Sequence, residues 1–196
     1  MIDGKSIYAV IPARGGSKRL PRKNIAPLWG QPLIAWAIRA CEASEFIDRC
    51  YVSTEDDEVA EVAQSFGARL IERPAALAGD QVFKQEAIVH ATEQFDPQPD
   101  IVISLQPNSP QVCAVDLDGA IAKLNESGAS EIFSVGEDLM QNGAFRVMKY
   151  EYVFQKSLST HCGVYVADHL DLHTAEDLAW LETNAQPCQD EKVVRS

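Results

Sequence analysis

Apolar residues along this 196-residue chain recur in two rhythms, short unbroken runs and longer stretches at helical spacing, and the two alternate. The first run, Ser6-Ile7-Tyr8-Ala9-Val10-Ile11, has the length and β-branched content of a buried strand. Residues 32–41 then carry apolar side chains at helical spacing, with Pro32 suited to a first turn. A strand is predicted over 47–53. Thr54-Glu55-Asp56-Asp57 offers a capping arrangement for a helix running to Phe66, which Gly67 can close. A short strand over 69–71, a helix over 81–94 and a strand over 100–105 follow. A helix over 114–126, ending near Gly128, and a strand over 132–135 complete the pattern. Strands alternating with helices predict an α/β fold: a three-layer, doubly wound, mostly parallel sheet covered on both faces. In such sheets ligands gather at the carboxyl ends of the strands. No repeat, low-complexity tract or linker divides the chain, so residues 1–196 are expected to form one domain. The polar tail from Asn184 onward is expected to fray.

Composition narrows the class. A hydrophobic share of 46% with 23% charged residues belongs to a globular chain, not a disordered one. No apolar stretch approaches a membrane span, and the N-terminus lacks a charged, apolar, cleavable leader, so no membrane partner is expected. The five cysteines are odd in number and show no Cys-x-x-Cys spacing. Neither a disulfide framework nor zinc is indicated, and reduced thiols in a cytoplasmic protein are expected. A net charge of -12 argues against nucleic acid, which needs a broad cationic footprint.

Against that acidic background, five of the 17 Lys and Arg residues fall between Arg14 and Lys23. They sit in Ile11-Pro12-Ala13-Arg14-Gly15-Gly16-Ser17-Lys18-Arg19-Leu20-Pro21-Arg22-Lys23-Asn24, just past the first strand. Gly15 and Gly16 allow a backbone path that a Cβ would obstruct. Exposed main-chain amides together with several cations suit a polyphosphate, so the loop is predicted to hold a nucleoside triphosphate. It is not a Walker A sequence, because Ser17 and not glycine stands immediately before Lys18, and it lacks Gly-x-Gly-x-x-Gly. Arg14, Lys18 and Lys23 are the candidate phosphate clamp, with Arg19 and Arg22 as rim charges that steer substrate inward. A plain basic surface loop between strand and helix is the alternative.

The same run resembles the nucleotide-binding signature of the acylneuraminate cytidylyltransferases, which make CMP-activated sialic, pseudaminic and legionaminic acids. The likeness extends, with gaps, over most of the chain. It implies a nucleotide-diphospho-sugar transferase-like fold, CTP as donor, a small acidic sugar as acceptor and Mg²⁺ as cofactor. It assigns nucleotide contacts to Arg14, Gly15, Gly16, Ser17, Lys18, Lys23 and Asn24. Glu72-Arg73-Pro74 through Gly79-Asp80 resembles the segment that helps hold cytosine, which points to Arg73 and Asp80; Asp80 as a cap for the helix from Gln81 is an equally good local reading. Leu105-Gln106-Pro107-Asn108-Ser109-Pro110 resembles the Leu-Gln-Pro-Thr-Ser-Pro turn beside the acceptor. Its two prolines are expected to fix the turn and expose Gln106 and Ser109, as an ordinary strand-ending turn also would. Gln111-Val112 replaces the family's Leu-Arg, which removes a cationic contact to the acceptor. Asn142-Gly143-Ala144-Phe145 resembles the family's Asn-Gly-Ala-Ile-Tyr, with Arg146 at the tyrosine; it implies that Asn142 contacts the acceptor, and a turn is the alternative. Only six residues separate Val135 from Asn142, where the family carries a much longer excursion with dimer contacts. A smaller acceptor or a different oligomer is compatible with that loss.

His169-Leu170-Asp171-Leu172-His173-Thr174 aligns with the family's Asp-Ile-Asp-Thr, whose carboxylates hold catalytic Mg²⁺. Asp171 matches the first carboxylate, whereas His173 stands at the second, and imidazole is a poor ligand for a hard cation. In an extended segment His169, Asp171 and His173 would share one face, a two-His-one-carboxylate set suited to a transition metal. Thr174-Ala175-Glu176-Asp177 can cap a helix over 175–182, or Asp177 can help Asp171 at the metal. The resemblance thus implies transfer of CMP from CTP to the anomeric hydroxyl of a nine-carbon 2-keto-3-deoxy sugar acid, with Arg14, Lys18 and Asp171 catalytic. Transfer to a shorter acid, or a CTP-binding protein that has lost catalysis through His173, are the rival expectations.

Overall fold

A computed structural model describes residues 1–157 and 159–188. Of the tail expected to fray, residues 189–196 lie outside the described residues. The chain forms a seven-stranded sheet with the spatial order β5-β4-β1-β6-β8-β7-β9. Its strands are β1 (Ile7–Pro12), β4 (Arg49–Thr54), β5 (Arg69–Glu72), β6 (Ile101–Leu105), β7 (Glu131–Val135), β8 (Gln141–Lys149) and β9 (Cys162–Val166). β5, β4, β1 and β6 run parallel, and β7 is parallel to β9. Only β8 is reversed, lying antiparallel between β6 and β7. A separate two-stranded ribbon pairs β2 (Pro27–Leu28) with β3 (Gln31–Pro32).

The first strand shows why the sheet is double-faced. Ile7, Ala9 and Ile11 enter one apolar cluster with residues of α1 (Leu33–Ala43), α2 (Asp57–Ser65) and α4 (Ala114–Ser127). Tyr8 and Val10 enter another with Ile88 and Ala91 of α3 (Lys84–Thr92) and Val153 of the short 3₁₀ turn Tyr150–Phe154. An unbroken apolar run is what a strand covered on both faces requires. A third cluster joins Leu28, Leu33 and Trp36 to Leu172 and to Leu181 of α5 (Ala175–Asn184), and so seats the C-terminal helix.

Several element ends differ from the sequence pattern. Asp56, not Thr54, is the N-cap of α2, its side chain accepting the Val59 amide. α3 begins at Lys84 with Phe83 at the cap position, so Asp80 does not cap it. Asn142 lies inside β8, not in a turn; the turn falls at Gly136–Met140, where the Gly136 amide donates to the Met140 carbonyl at 3.0 Å. The short connection from Val135 is therefore a tight hairpin. The expectation of reduced thiols throughout is also corrected. Cys113, just before α4, is bonded to Cys188 beyond α5, while Cys41, Cys50 and Cys162 are free.

Candidate functional site

The carboxyl ends of β1, β5 and β6 open into a cleft of about 510 Å³. Pro12 and the loop after it form one wall, Arg73 and 77–84 the opposite wall, and Gln106, Pro107 and Asn108 the floor. This is where a mostly parallel sheet places its ligands. A cavity of about 540 Å³ beside α1 lacks such chemistry. Its cation, Arg39, lies over the rings of Trp36 and Phe66.

The basic loop is held from beneath by acids that the sequence reading passed over. Arg22 pairs with Asp56 at 2.9 Å and with Glu58, which pins the loop to the start of α2. Arg22 is thus a structural tie and not a rim charge. The Gly15 amide donates to Glu55 Oε1 at 2.8 Å, and the Ser17 amide to the Gly15 carbonyl at 3.2 Å. The expected cradle of main-chain amides is corrected at these two positions, because both N–H groups are already engaged. Gly15 and Gly16 do not line the cleft. A Cβ on Gly15 would run into the Asp56 side chain, so the glycine serves close approach to a carboxylate.

The cations do converge. Arg14, Ser17, Lys18, Arg19, Lys23 and Asn24 all line the cleft. Asn24 Nδ2 donates to the Arg14 carbonyl at 2.8 Å, fixing the loop's course. Arg14 and Lys18 both pair with Asp80, Arg14 at 2.9 Å. The Lys18 hydrogen bond, with further help from Arg14, holds the Asp80 carboxyl below the usual range. Lys23 reaches the Leu172 carbonyl at 3.2 Å, and its pKa is lowered by burial against a partly offsetting attraction from Asp171. Buried Arg73 donates to the Ser53 carbonyl, and its pKa too is lowered by burial.

The acceptor and metal candidates separate into those on the cleft and those off it. Gln106 lines the cleft, yet it is buried and not exposed as expected. Ser109 is buried behind the turn and is not a wall residue. Asn142 is spent inside the sheet: its Nδ2 donates to the Ala167 carbonyl at 2.6 Å, and its Oδ1 accepts the Ser134 hydroxyl at 2.7 Å. Segment 169–174 is not a strand, so its three candidate ligands do not share a face. His169 turns away to Asp116 at 3.0 Å. His173 Nε2 meets Asp171 Oδ2 at 2.8 Å, while the Asn108 amide donates to Asp171 Oδ1. Asp177 Oδ2 accepts the His173 and Thr174 amides, each at 2.8 Å, so it caps α5 and does not join Asp171. The His173 amide is the main reason its pKa falls below the usual range.

Among the described residues, no three His, Cys, Asp or Glu side chains form a ready metal cage. One carboxylate beside a cationic cleft is nonetheless a donor set that Mg²⁺ accepts, since Mg²⁺ takes one or two carboxylates and completes its shell with water and phosphate oxygens. Two cleft residues escaped the sequence reading. Phe83 is an exposed aromatic on the wall. Lys84 opens α3 and faces the same cleft, its pKa lowered by desolvation against an attraction from Asp171. A charged residue with an aromatic before it at a helix start carries no local motif, so only the fold reveals them.

Comparison with known proteins places the chain in a family. The chain is 34% identical over 133 residues to an N-acylneuraminate cytidylyltransferase of Oncorhynchus mykiss, covering 68% of this chain and 31% of that protein. It is 32% identical over 165 residues to a pseudaminic acid cytidylyltransferase of Campylobacter jejuni, covering 81% of this chain and 66% of the other. The chain therefore spans about a third of the length of the first of these relatives. Its fold matches a solved CMP:2-keto-3-deoxy-manno-octonic acid synthetase in complex with CTP, with a TM-score of 0.75 at 15% identity over 91% of this chain and 97% of that one. A family described as cytidylyltransferase matches residues 8–185, almost the whole described chain, and the protein belongs to that family.

Proposed function

We propose that this protein transfers CMP from CTP to the anomeric hydroxyl of a 2-keto-3-deoxy sugar acid, sialic-acid-like with nine carbons, and releases pyrophosphate. The observation that carries the reading is the convergence of Arg14, Lys18 and Lys23 on one cleft at the carboxyl ends of the strands, inside a molecule of net charge -12. The hydroxyl oxygen attacks the α-phosphorus, the bond from that phosphorus to the bridging β-phosphate oxygen breaks to release pyrophosphate, and the hydroxyl proton passes to solvent. Arg14, Lys18 and Lys23 bind the triphosphate and offset the charge that builds on the departing pyrophosphate. Arg73 and Asn24 fix the walls against which the nucleotide rests. Gln106, on the floor, orients the acceptor.

Mg²⁺ would be held by Asp171 together with phosphate oxygens, and it supplies charge neutralisation and polarisation of the α-phosphate. Lys23 and Asn108 position Asp171 for this, Lys23 through the neighbouring Leu172 carbonyl and Asn108 directly. The Asp171–His173 contact favours a weaker metal site than two carboxylates would give. Incubation with CTP, Mg²⁺ and a panel of such acids tests the reading. Pyrophosphate release with at least one acid is expected; no release with any of them overturns it.

One observation favours an acceptor smaller than nine carbons. The lobe next to the phosphate cleft measures only about 180 Å³, below the roughly 300 Å³ at which ordinary small-molecule pockets begin. Faster turnover of an eight-carbon keto-deoxy acid than of an N-acylneuraminate would favour this version.

A further inference from the structure

The cleft continues past Gln106 into that smaller lobe, which is lined by Gln85, Ser104, Ser134, Gln141 and Arg146 as well as apolar residues. Lys84 and Gln106 line both lobes, and no other described residue is shared by the two walls. We propose that Lys84 determines specificity by binding the carboxylate of the acceptor acid, its ammonium standing where the phosphate lobe meets the sugar lobe. This rests on the reading that the protein passes CMP to a sugar acid.

The chemistry of the acceptor sets the place. In the cyclic form of a 2-keto acid, one carbon carries both the attacking hydroxyl and the carboxylate. The hydroxyl must come within about 3–3.5 Å of the α-phosphorus to react. Its carboxylate neighbour is then confined to the junction of the two lobes, and a cation must be waiting there.

The other cations of both walls are tied to protein groups, and three of them, Arg14, Lys18 and Lys23, are already assigned to the triphosphate. Arg14 and Lys18 hold Asp80, Arg73 holds the Ser53 carbonyl, Lys23 holds the Leu172 carbonyl, and Arg19 lies 3.2 Å from His173 Nδ1. Arg146, on the sugar lobe, is bound to buried Glu131 and donates to Gln85 at 3.1 Å. The Lys84 ammonium has no hydrogen bond or ion pair among the described residues, and its electrostatic neighbour is Asp171. Its side chain opens into the cleft, whose walls partly desolvate it. The position after the acceptor turn cannot do this work. Val112 is buried, and Gln111 Oε1 accepts the Leu170 amide at 3.1 Å. Lys84 also opens a nine-residue helix, where the dipole adds to the attraction for an anion.

Calorimetry in the presence of CMP, which permits binding without turnover, separates this assignment from the activity itself. The probes are an N-acylneuraminate, an eight-carbon keto-deoxy acid and the carboxamide of each. The wild-type protein should bind an acid about 10- to 100-fold more tightly than its amide, the worth of one charge-assisted hydrogen bond. Lys84→Gln should lose most of that preference while its CTP affinity stays within about threefold, and Lys84→Arg should restore much of it. Acid binding with an unchanged acid-to-amide ratio in Lys84→Gln overturns the proposal, as does an equal loss of CTP affinity, which would make Lys84 a phosphate ligand. Failure of the wild-type protein to bind any acid overturns it as well. Binding of acid without pyrophosphate release would instead sink the catalytic reading and leave Lys84 assigned.

Discussion

At the scale of the residue, Asp80 says most about how the cleft awaits an anion. Its carboxylate holds Arg14 and Lys18, two of the three cations expected at the triphosphate. A triphosphate bound to these cations, as proposed, would have to displace it. Pairs this exposed are weak, so Asp80→Asn should bind CTP up to several-fold more tightly by calorimetry. A tenfold loss would mean instead that Asp80 holds the base, as the resemblance implies. The pH dependence follows from the direction of the shift. Hydrogen bonding from Lys18 and then Arg14 lowers the folded pKa, so the carboxylate competes at every pH above about 4, its ordinary value. The affinity ratio between Asp80→Asn and wild type should be flat from about pH 5 to 8 and approach one only in acid.

At the scale of the element, the segment 169–174 is placed by its ends. Asp177 caps α5 and at the same time fixes the His173 and Thr174 amides beside Asp171. Replacing it by Asn, which keeps an acceptor but removes the charge, should cost about 0.3–1 kcal/mol in thermal unfolding at neutral pH. Because the folded pKa is depressed, chiefly by the His173 amide, this stability is present above the unfolded value of about 3.9 and is lost as pH falls through the lower folded value. The gap between the two proteins should therefore narrow as the pH falls below about 3.9 and vanish only in stronger acid. This cap was legible in the sequence because a capping box is local: Thr174 and Asp177 answer each other three residues apart. The same logic failed where partners are remote. Asp80 looks like a cap before Gln81, but Arg14 and Lys18 claim it from 66 and 62 residues upstream, which no window displays. β8 was hidden by Asn142-Gly143, a turn signal that the neighbouring strands override when Asn142 bonds to Ser134 and Ala167.

At the scale of the whole molecule, the alternation of strand and helix foretold the sheet, and the basic loop foretold the cleft. What could not be read were ties between distant parts. Asp171 reaches the cleft because its segment is fastened to the turn after β6: Asn108 bonds Asp171, the Leu172 amide donates to the Asn108 carbonyl at 2.8 Å, and His169 meets Asp116. Cys113–Cys188 closes the same corner, linking that turn to the chain beyond α5 across 75 residues. Odd cysteine number had argued against any such bond, yet a count cannot tell which thiols the fold brings together. In the chain-entropy account a bridge closing so long a loop stabilises by about 4–5 kcal/mol, and measured bridges typically deliver about 2–4 kcal/mol. Reduction with dithiothreitol should therefore lower the melting temperature by roughly 5–15 °C, at about 2–4 °C per kcal/mol for a chain of this size. Cys188→Ser should melt at the reduced temperature with or without dithiothreitol, because no bridge remains to cut. CTP should raise both melting temperatures, since binding to the folded state adds stability by mass action. The rise should be smaller in the reduced protein, where the corner that carries Asp171 has lost one of its fastenings. Equal melting in oxidising and reducing buffer would mean that the hydrogen bonds alone hold that corner, and that the bridge adds nothing to the site.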